Sequence, residues 1–125
     1  MNPNILFLLG LARRGGMLAV GEEPVEAVAR AKDARVLLAA SDATENTVRR
    51  VRHFAEAGAC LWLQIPFTKA ELGHAVGAAS CAVVAVTDIG FAASIVRRMA
   101  EEAPAYGECA EKLAVKAQRA AERRA

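Results

Sequence analysis

The sequence predicts an α/β sandwich, a small mixed sheet with helices on both faces. Three observations carry that reading. Short apolar runs without a helical period, such as Val36 to Ala40 and Ala82 to Thr87, have the character of buried strands. They alternate with segments whose apolar residues recur at helical spacing. The junctions hold cap and turn chemistry, among it Ser41-Asp42-Ala43-Thr44, Thr68 and Asp88.

Each element has a local reason. Asn2-Pro3 pairs a capping residue with Pro at the first helical position. The run Ile5 to Leu11 that follows is apolar nearly all round, so the first helix is expected to be largely buried. Gly15-Gly16 stops it, and Met17 to Val20 is a short extended piece. Gly21-Glu22-Glu23-Pro24 opens a second helix to about Ala31, with Pro24 in the first turn where proline is tolerated.

After the strand Val36 to Ala40, a third helix runs from Glu45 to Ala57. Val48, Val51 and Ala55 are expected inward, Arg49, Arg52, His53 and Glu56 outward, and Gly58 is expected to cap the end. Leu61 to Ile65 is the next strand, closed by Pro66. Thr68-Lys69-Ala70-Glu71 is a capping box, which places a short fourth helix over Thr68 to Val76. Asp88 is set to cap a fifth helix with Phe91, Ile95 and Met99 on one face. Pro104 to Gly107 breaks the pattern. Residues 1–103 therefore read as one domain, and residues 104–125 as an extension with an alanine-rich, charged helix over Glu108 to Arg124. Its inward stripe, Cys109, Leu113 and Lys116-Ala117, is weak, which leaves a docked, a projecting and a frayed helix all open.

Composition narrows the class. With 54% apolar and 24% charged residues among 125, the chain is globular and not disordered. The longest apolar run, Ile5 to Ala12, falls well short of the roughly 20 residues of a membrane span, and nothing basic precedes it as in a secretory signal. A cytoplasmic location is expected. Cys60, Cys81 and Cys109 are odd in number and lack metal-ligand spacing, so all three read as small buried hydrophobes. Residues 1–96 carry nine basic and nine acidic groups, and the formal net charge of +2 comes from the last 29 residues. Any nucleic-acid contact must then rest on a local patch and not on bulk charge.

Catalytic motifs are absent: there is no GxSxG, HExxH, Walker loop or GxGxxG after a strand. Asp42 and Asp88 follow strands, where α/β active sites collect, but both also stand where helices need caps. His74 and Glu71 read as a surface pair. No enzyme, cofactor or metal is expected. The Gly21-Glu22-Glu23 segment admits two readings. Two glutamates in a first turn complement the helix dipole. The same helix start exposes N–H groups that hold phosphate, with carboxylates able to accept from guanine N–H groups. Arg49, Arg50 and Arg52 read as a solvated face, Trp62 as core, and Arg13-Arg14 beside Gly15-Gly16 as a basic turn able to meet a phosphate backbone.

Four segments in order, Gly10 to Glu23, Val36 to Thr47, Phe67 to Gly77 and Val84 to Ala92, resemble the bacterial YlxQ-like branch of the kink-turn-binding ribosomal protein superfamily. Glu71-Leu-Gly-His-Ala-Val-Gly77 is the most specific of them. The resemblance implies a three-layer α/β/α sandwich, with about five helices around a four-stranded mixed sheet and the charged C-terminal helix added. It implies a non-enzymatic, ribosome-associated protein that binds structured RNA, a kink-turn or ribosomal RNA, and neither DNA nor a membrane. The reader is the start of the second helix, Val20 to Glu23, with Glu23 accepting from guanine and the amides of Gly21 and Glu22 on phosphate or base edges. Glu22 stands where the tightest binders have Asn. A loop over Ala78, Ala79, Ser80 and Cys81 covers a flipped-out base, and the Ser41 to Thr44 turn, with Ser41 and Asp42, lies at the same end. Arg13, Arg14 and Lys32 neutralise phosphates. The competing expectation is a protein-interaction module on the same fold, with RNA binding weakened or lost and the last helix packed on a partner.

Overall fold

A computed structural model describes residues 3–124, so Asn2 of the helix-start signal lies outside the described residues. In chain order the elements are α1 (Pro3–Arg14), β1 (Leu18–Val20), α2 (Glu22–Arg30), β2 (Val36–Ala39), α3 (Glu45–Gly58), β3 (Leu61–Gln64), α4 (Lys69–Val76), β4 (Val83–Val86), α5 (Ile89–Glu102), a 3-10 turn (Pro104–Tyr106) and α6 (Gly107–Arg124). The strands form one sheet in the order β1-β4-β2-β3, with β2 and β3 parallel and the β1–β4 and β4–β2 pairs antiparallel.

Alternation of side chains along the central strands builds two cores. Val36, Leu38, Val84 and Val86 face α1, α4 and α5, meeting Ile5, Leu9, Leu72, Ile95 and Met99. Leu37, Ala39, Val83 and Ala85 face α2 and α3, meeting Val25, Ala29, Val51 and Phe54. Because both faces are covered, β2 and β4 are buried at every position, which is why they read as unbroken apolar runs. The mixed-sheet α/β/α sandwich expected from the sequence is the fold observed. The long charged helix is docked: it packs along α5, and Cys109 and Leu113 join the α1–α5 core.

Local expectations fail at four places. The first helix is not buried all round, since Phe7 stays 60% exposed while Ile5, Leu9 and Ala12 face the core. The buried stripe of α3 is Thr47, Val51, Phe54, Ala55 and Gly58, with Val48 only half-buried. The left-handed residue ending α3 is Ala59, φ 52°, and not Gly58. Gly58 is instead the point where α3 meets α2, because a Cβ there would strike the Ala29 carbonyl oxygen. Trp62 joins the α2–α3 core only in part: half-buried on the edge strand, it packs against that core and lies under the Arg52 guanidinium, 5.8 Å from the ring centroid.

Two expected results follow from packing alone. Gly107 adopts helical angles, φ −60° and ψ −44°, with open space around the position of a Cβ. Gly107→Ala should stabilise by about 0.5 to 1 kcal/mol by restricting the unfolded chain, read as a raised urea midpoint. Burial is the first cause that holds the Cys60, Cys81 and Cys109 thiols above their ordinary 9.0, outweighing Lys116 beside Cys60, hydrogen bonds at Cys81, and Lys112 and Lys116 beside Cys109. The folded chain therefore keeps protons that the unfolded chain releases. Stability should be flat below about pH 8 and fall as pH rises past about 9. Urea midpoints across that range test it, and a flat profile would mean the thiols are solvated.

Candidate nucleic-acid interface

Strand directions bring three segments to one end of the sheet. Val20 pairs Val84, Ala39 pairs Val83, and Gln64 pairs Ala39. The chain leaving β1 and β2 therefore meets the chain entering β4. Four backbone bonds stitch this end together: Gly21 N–H to Val83 O at 3.0 Å, Ala40 N–H to Ala82 O at 2.8 Å, Ser41 N–H to Phe67 O at 2.8 Å, and Cys81 N–H to Lys69 O at 3.0 Å.

The start of α2 has unusual donor chemistry. Gly21 sits at φ 95°, ψ 162°, a conformation that only glycine holds without strain, and it offers no side chain as a cap. Its N–H is spent on Val83, so the expectation that the Gly21 amide contacts RNA is corrected. Pro24 has no N–H, and Val25 N–H bonds the Gly21 carbonyl. The Glu22 and Glu23 amides are left at the positive end of the helix without an intrahelical acceptor.

The two carboxylates differ. Glu22 Oε1 accepts from Arg50 Nη2 at 3.1 Å and Nε at 3.2 Å, an ion pair that ties α2 to α3. Arg50 stays on the solvated face expected of Arg49, Arg50 and Arg52, with its guanidinium paired there. Glu23 is exposed and has no ion-pair partner among the described residues. One acceptor is clamped and the other is open.

The segment before β4 faces this start. Gly77 closes α4 in the left-handed conformation at φ 77°, Ala79 and Ser80 are exposed, and Cys81 is buried. The Cys81 thiol donates to Val83 O at 3.3 Å. Burial pushes this thiol up, while the Val83 and Gly21 backbones and the Arg13 charge pull it down. Arg13 thus stands within electrostatic reach of the Gly21–Cys81 junction, with Arg14 beside it at the end of α1. Both are exposed.

Ser41 and Asp42 lie at the same end, exposed. Asp42 was expected to cap the helix that follows it. Thr44 takes that role, accepting from Thr47 N–H at 3.2 Å. Asp42 Oδ1 instead accepts from Lys69 N–H at 2.8 Å and fixes the start of α4. Asp42→Ala should cost about 1 kcal/mol, as loss of a helix cap does, read by urea unfolding. Asp88 caps α5 as expected, accepting from Phe91 N–H at 2.9 Å. Both aspartates are occupied as caps, and the raised thiols are poor nucleophiles at neutral pH.

Lys32 is not brought to this end. It lies past the C-terminus of α2, at φ 61°, with nine helical residues between it and Gly21, about 14 Å at 1.5 Å per residue. Lys69 was missed. It is the first residue of α4, with its amide on Asp42 and its carbonyl on Cys81, in the middle of the candidate surface. The capping box just after a strand was the signal that placed it there. Arg50 was visible as part of a cluster, but its partner lies 28 residues away on another helix.

No protein-family model matches the chain. RNA-binding protein YlxQ of Bacillus subtilis (strain 168) is 36% identical over 93 residues, spanning 71% of this chain and 88% of that protein. RNA-binding protein YlxQ of Enterococcus faecium is 34% identical over 89 residues, spanning 68% of this chain and 81% of that protein. The solved structure of a protein of unknown function from Bacillus halodurans C superposes with a TM-score of 0.69 at 26% identity, covering 77% of this chain and 96% of that one. With identity above one third sustained over more than four fifths of both curated relatives, the chain belongs to the YlxQ family.

Proposed function

We propose that the chain is a cytoplasmic, ribosome-associated RNA-binding protein that reads a kink-turn or a similar structured element with this end of its sheet. The observation that carries the reading is the start of α2. Two amides without an intrahelical acceptor stand beside one unpaired carboxylate, Glu23, and opposite the exposed Ala79-Ser80 loop. The names of the two curated relatives support RNA as the partner.

The chemistry has three parts. The Glu22 and Glu23 amides, at a helix N-terminus, bind a phosphate or a base edge. The Glu23 carboxylate accepts from guanine N1–H and N2–H, groups that sheared G·A pairs leave accessible. Arg13, Arg14 and Lys69 neutralise nearby phosphates, while Ser41, Asp42, Ala79 and Ser80 form the uncharged and acceptor rim. The Arg50 clamp on Glu22 keeps a second negative charge away from the RNA backbone. The reading surface lies wholly within residues 1–103, with residues 104–125 as a supporting extension.

The test is a titration with a kink-turn RNA folded in magnesium, at two salt concentrations, against a control whose sheared G·A pairs are replaced by Watson–Crick pairs. The kink-turn should bind at least about tenfold more tightly, and affinity should fall with salt as phosphate contacts require. Glu23→Gln should cost about tenfold on the kink-turn and little on the control, within the range of one lost base-edge contact. Equal, weak binding to both RNAs would overturn the reading and leave the protein-interaction module.

A further inference from the structure

A second surface adjoins the first. Helices α1 and α4 approach closely at Gly10, where a Cβ would lie 2.9 Å from the Ala75 carbonyl oxygen. Beside it lies a groove of about 500 Å³, whose walls include Phe7 and Arg14 on α1, His74 on α4 and Gly77 just past its end. Phe7 is 60% exposed, on the face of α1 opposite the buried Ile5, Leu9 and Ala12. Arg13 and Arg14, also in the wall, form no ion pair among the described residues. Glu71 is the one carboxylate in the lining, and its Oε1 is held at 3.0 Å by the Thr68 N–H.

We infer that this groove binds a short single-stranded RNA segment, stacking a base on Phe7 and holding its phosphates with Arg13 and Arg14. The inference rests on the reading of the chain as an RNA binder and extends its footprint. Phe7, Gly10 and Arg14 lie on one stripe of α1, and Phe7 and Arg14 are about 10 Å apart along the axis at 1.5 Å per residue. A stacked strand advances about 3.4 Å per nucleotide, so about three nucleotides span that stripe. An exposed ring beside unpaired guanidinium groups matches the combination that holds single strands, a stacking platform with cationic phosphate contacts. An apolar peptide would leave both arginines unmatched. Continuity also favours RNA, because Gly77 joins the groove directly to the Ala78–Ser80 loop. A strand leaving the structured element at the sheet end runs into the groove.

The probe is hexauridylate, titrated into the full ¹⁵N-labelled chain and followed by amide shifts. Saturating shifts are expected at Leu6, Gly10, Arg14, His74 and Gly77. Phe7→Ala should weaken binding about tenfold, the loss of one stacked base; Phe7 is exposed, so the fold is kept, as an unchanged amide spectrum would show. Arg13→Gln with Arg14→Gln should weaken binding and flatten its salt dependence. Shifts confined to Gly21–Glu23 and Ala78–Ser80, no shifts at all, or an affinity indifferent to Phe7→Ala would each overturn the groove. A parallel titration with the kink-turn RNA separates the two readings. If the kink-turn binds while hexauridylate leaves α1 and α4 unmoved, the groove alone fails; if neither RNA binds, the proposed function fails with it.

Discussion

Gly58→Ala should destabilise the protein by about 2 kcal/mol, although alanine is the better helix former. Gly58 is the last residue of α3 and is buried against α2. A Cβ there would collide with the Ala29 carbonyl oxygen and lie 2.9 Å from the Ala29 carbonyl carbon. Neither atom can swing away, because both belong to the backbone of a helix whose Ala29 side chain is itself fully buried. Helix propensity returns about 1 kcal/mol. Separating two packed helices costs about 3 kcal/mol, at the upper end of overpacking penalties. The collision wins. Urea unfolding should show a midpoint lowered by 1 to 2 M, taking a slope of about 1.5 kcal/mol per molar. An unchanged midpoint would mean that α2 and α3 can part freely, and the Glu22–Arg50 clamp between them would lose its geometric basis.

Gly73→Ala should separate binding from stability. A Cβ on Gly73 would stand 2.9 Å from Ala78 O, Ser80 Cα and Ser80 N, all backbone of the loop before β4. Unlike Ala29, this loop is bounded by solvent, with Ala79 and Ser80 exposed, so it can yield outward. The stability loss should stay near 1 kcal/mol, at the low end of overpacking. Kink-turn affinity should fall about tenfold or more, because the Ala79-Ser80 edge would be displaced from the start of α2. Unfolding and kink-turn titration on the same variant decide the matter. A folded Gly73→Ala protein with undiminished affinity would remove this loop from the interface.

The parts of the fold that were legible in the sequence were those fixed within a few residues. The Thr68–Glu71 box is present in both directions, Glu71 N–H to Thr68 Oγ1 at 3.1 Å and Thr68 N–H to Glu71 Oε1 at 3.0 Å. Asp88 caps α5, and the apolar runs of β2 and β4 became the two central strands. Misreadings arose where a residue serves a distant neighbour. Gly58 looks like a helix stop because glycine favours the left-handed turn, but the close approach of Ala29 claims it, and Ala59 takes the turn one residue later. Asp42 looks like a cap for the next helix, yet its acceptor is used by Lys69, 27 residues on.

The candidate interface was legible in the same uneven way. Gly21 to Glu23 and Ala78 to Ser80 were marked as segments, and strand register brings them to one end. Which amides remain open was not readable. The Gly21 N–H is taken by Val83, and only the antiparallel β1–β4 pairing shows it. The same holds for the two glutamates. Their spacing treats them alike, while packing of α2 on α3 clamps Glu22 and leaves Glu23 open.

That pairing has a consequence for the order in which the molecule becomes competent. β4 lies between β1 and β2 in the sheet although it is the last strand made. Until residue 83 has been synthesised, β1 has no neighbour and the Gly21 amide has no acceptor. A nascent chain that ends before β4 carries every residue of the proposed α2 reader but lacks the Val83 carbonyl that holds Gly21. Closing this pair joins segments far apart in sequence, a late and slow kind of event in folding. The geometry of the α2 start is therefore complete only when the whole sheet has closed.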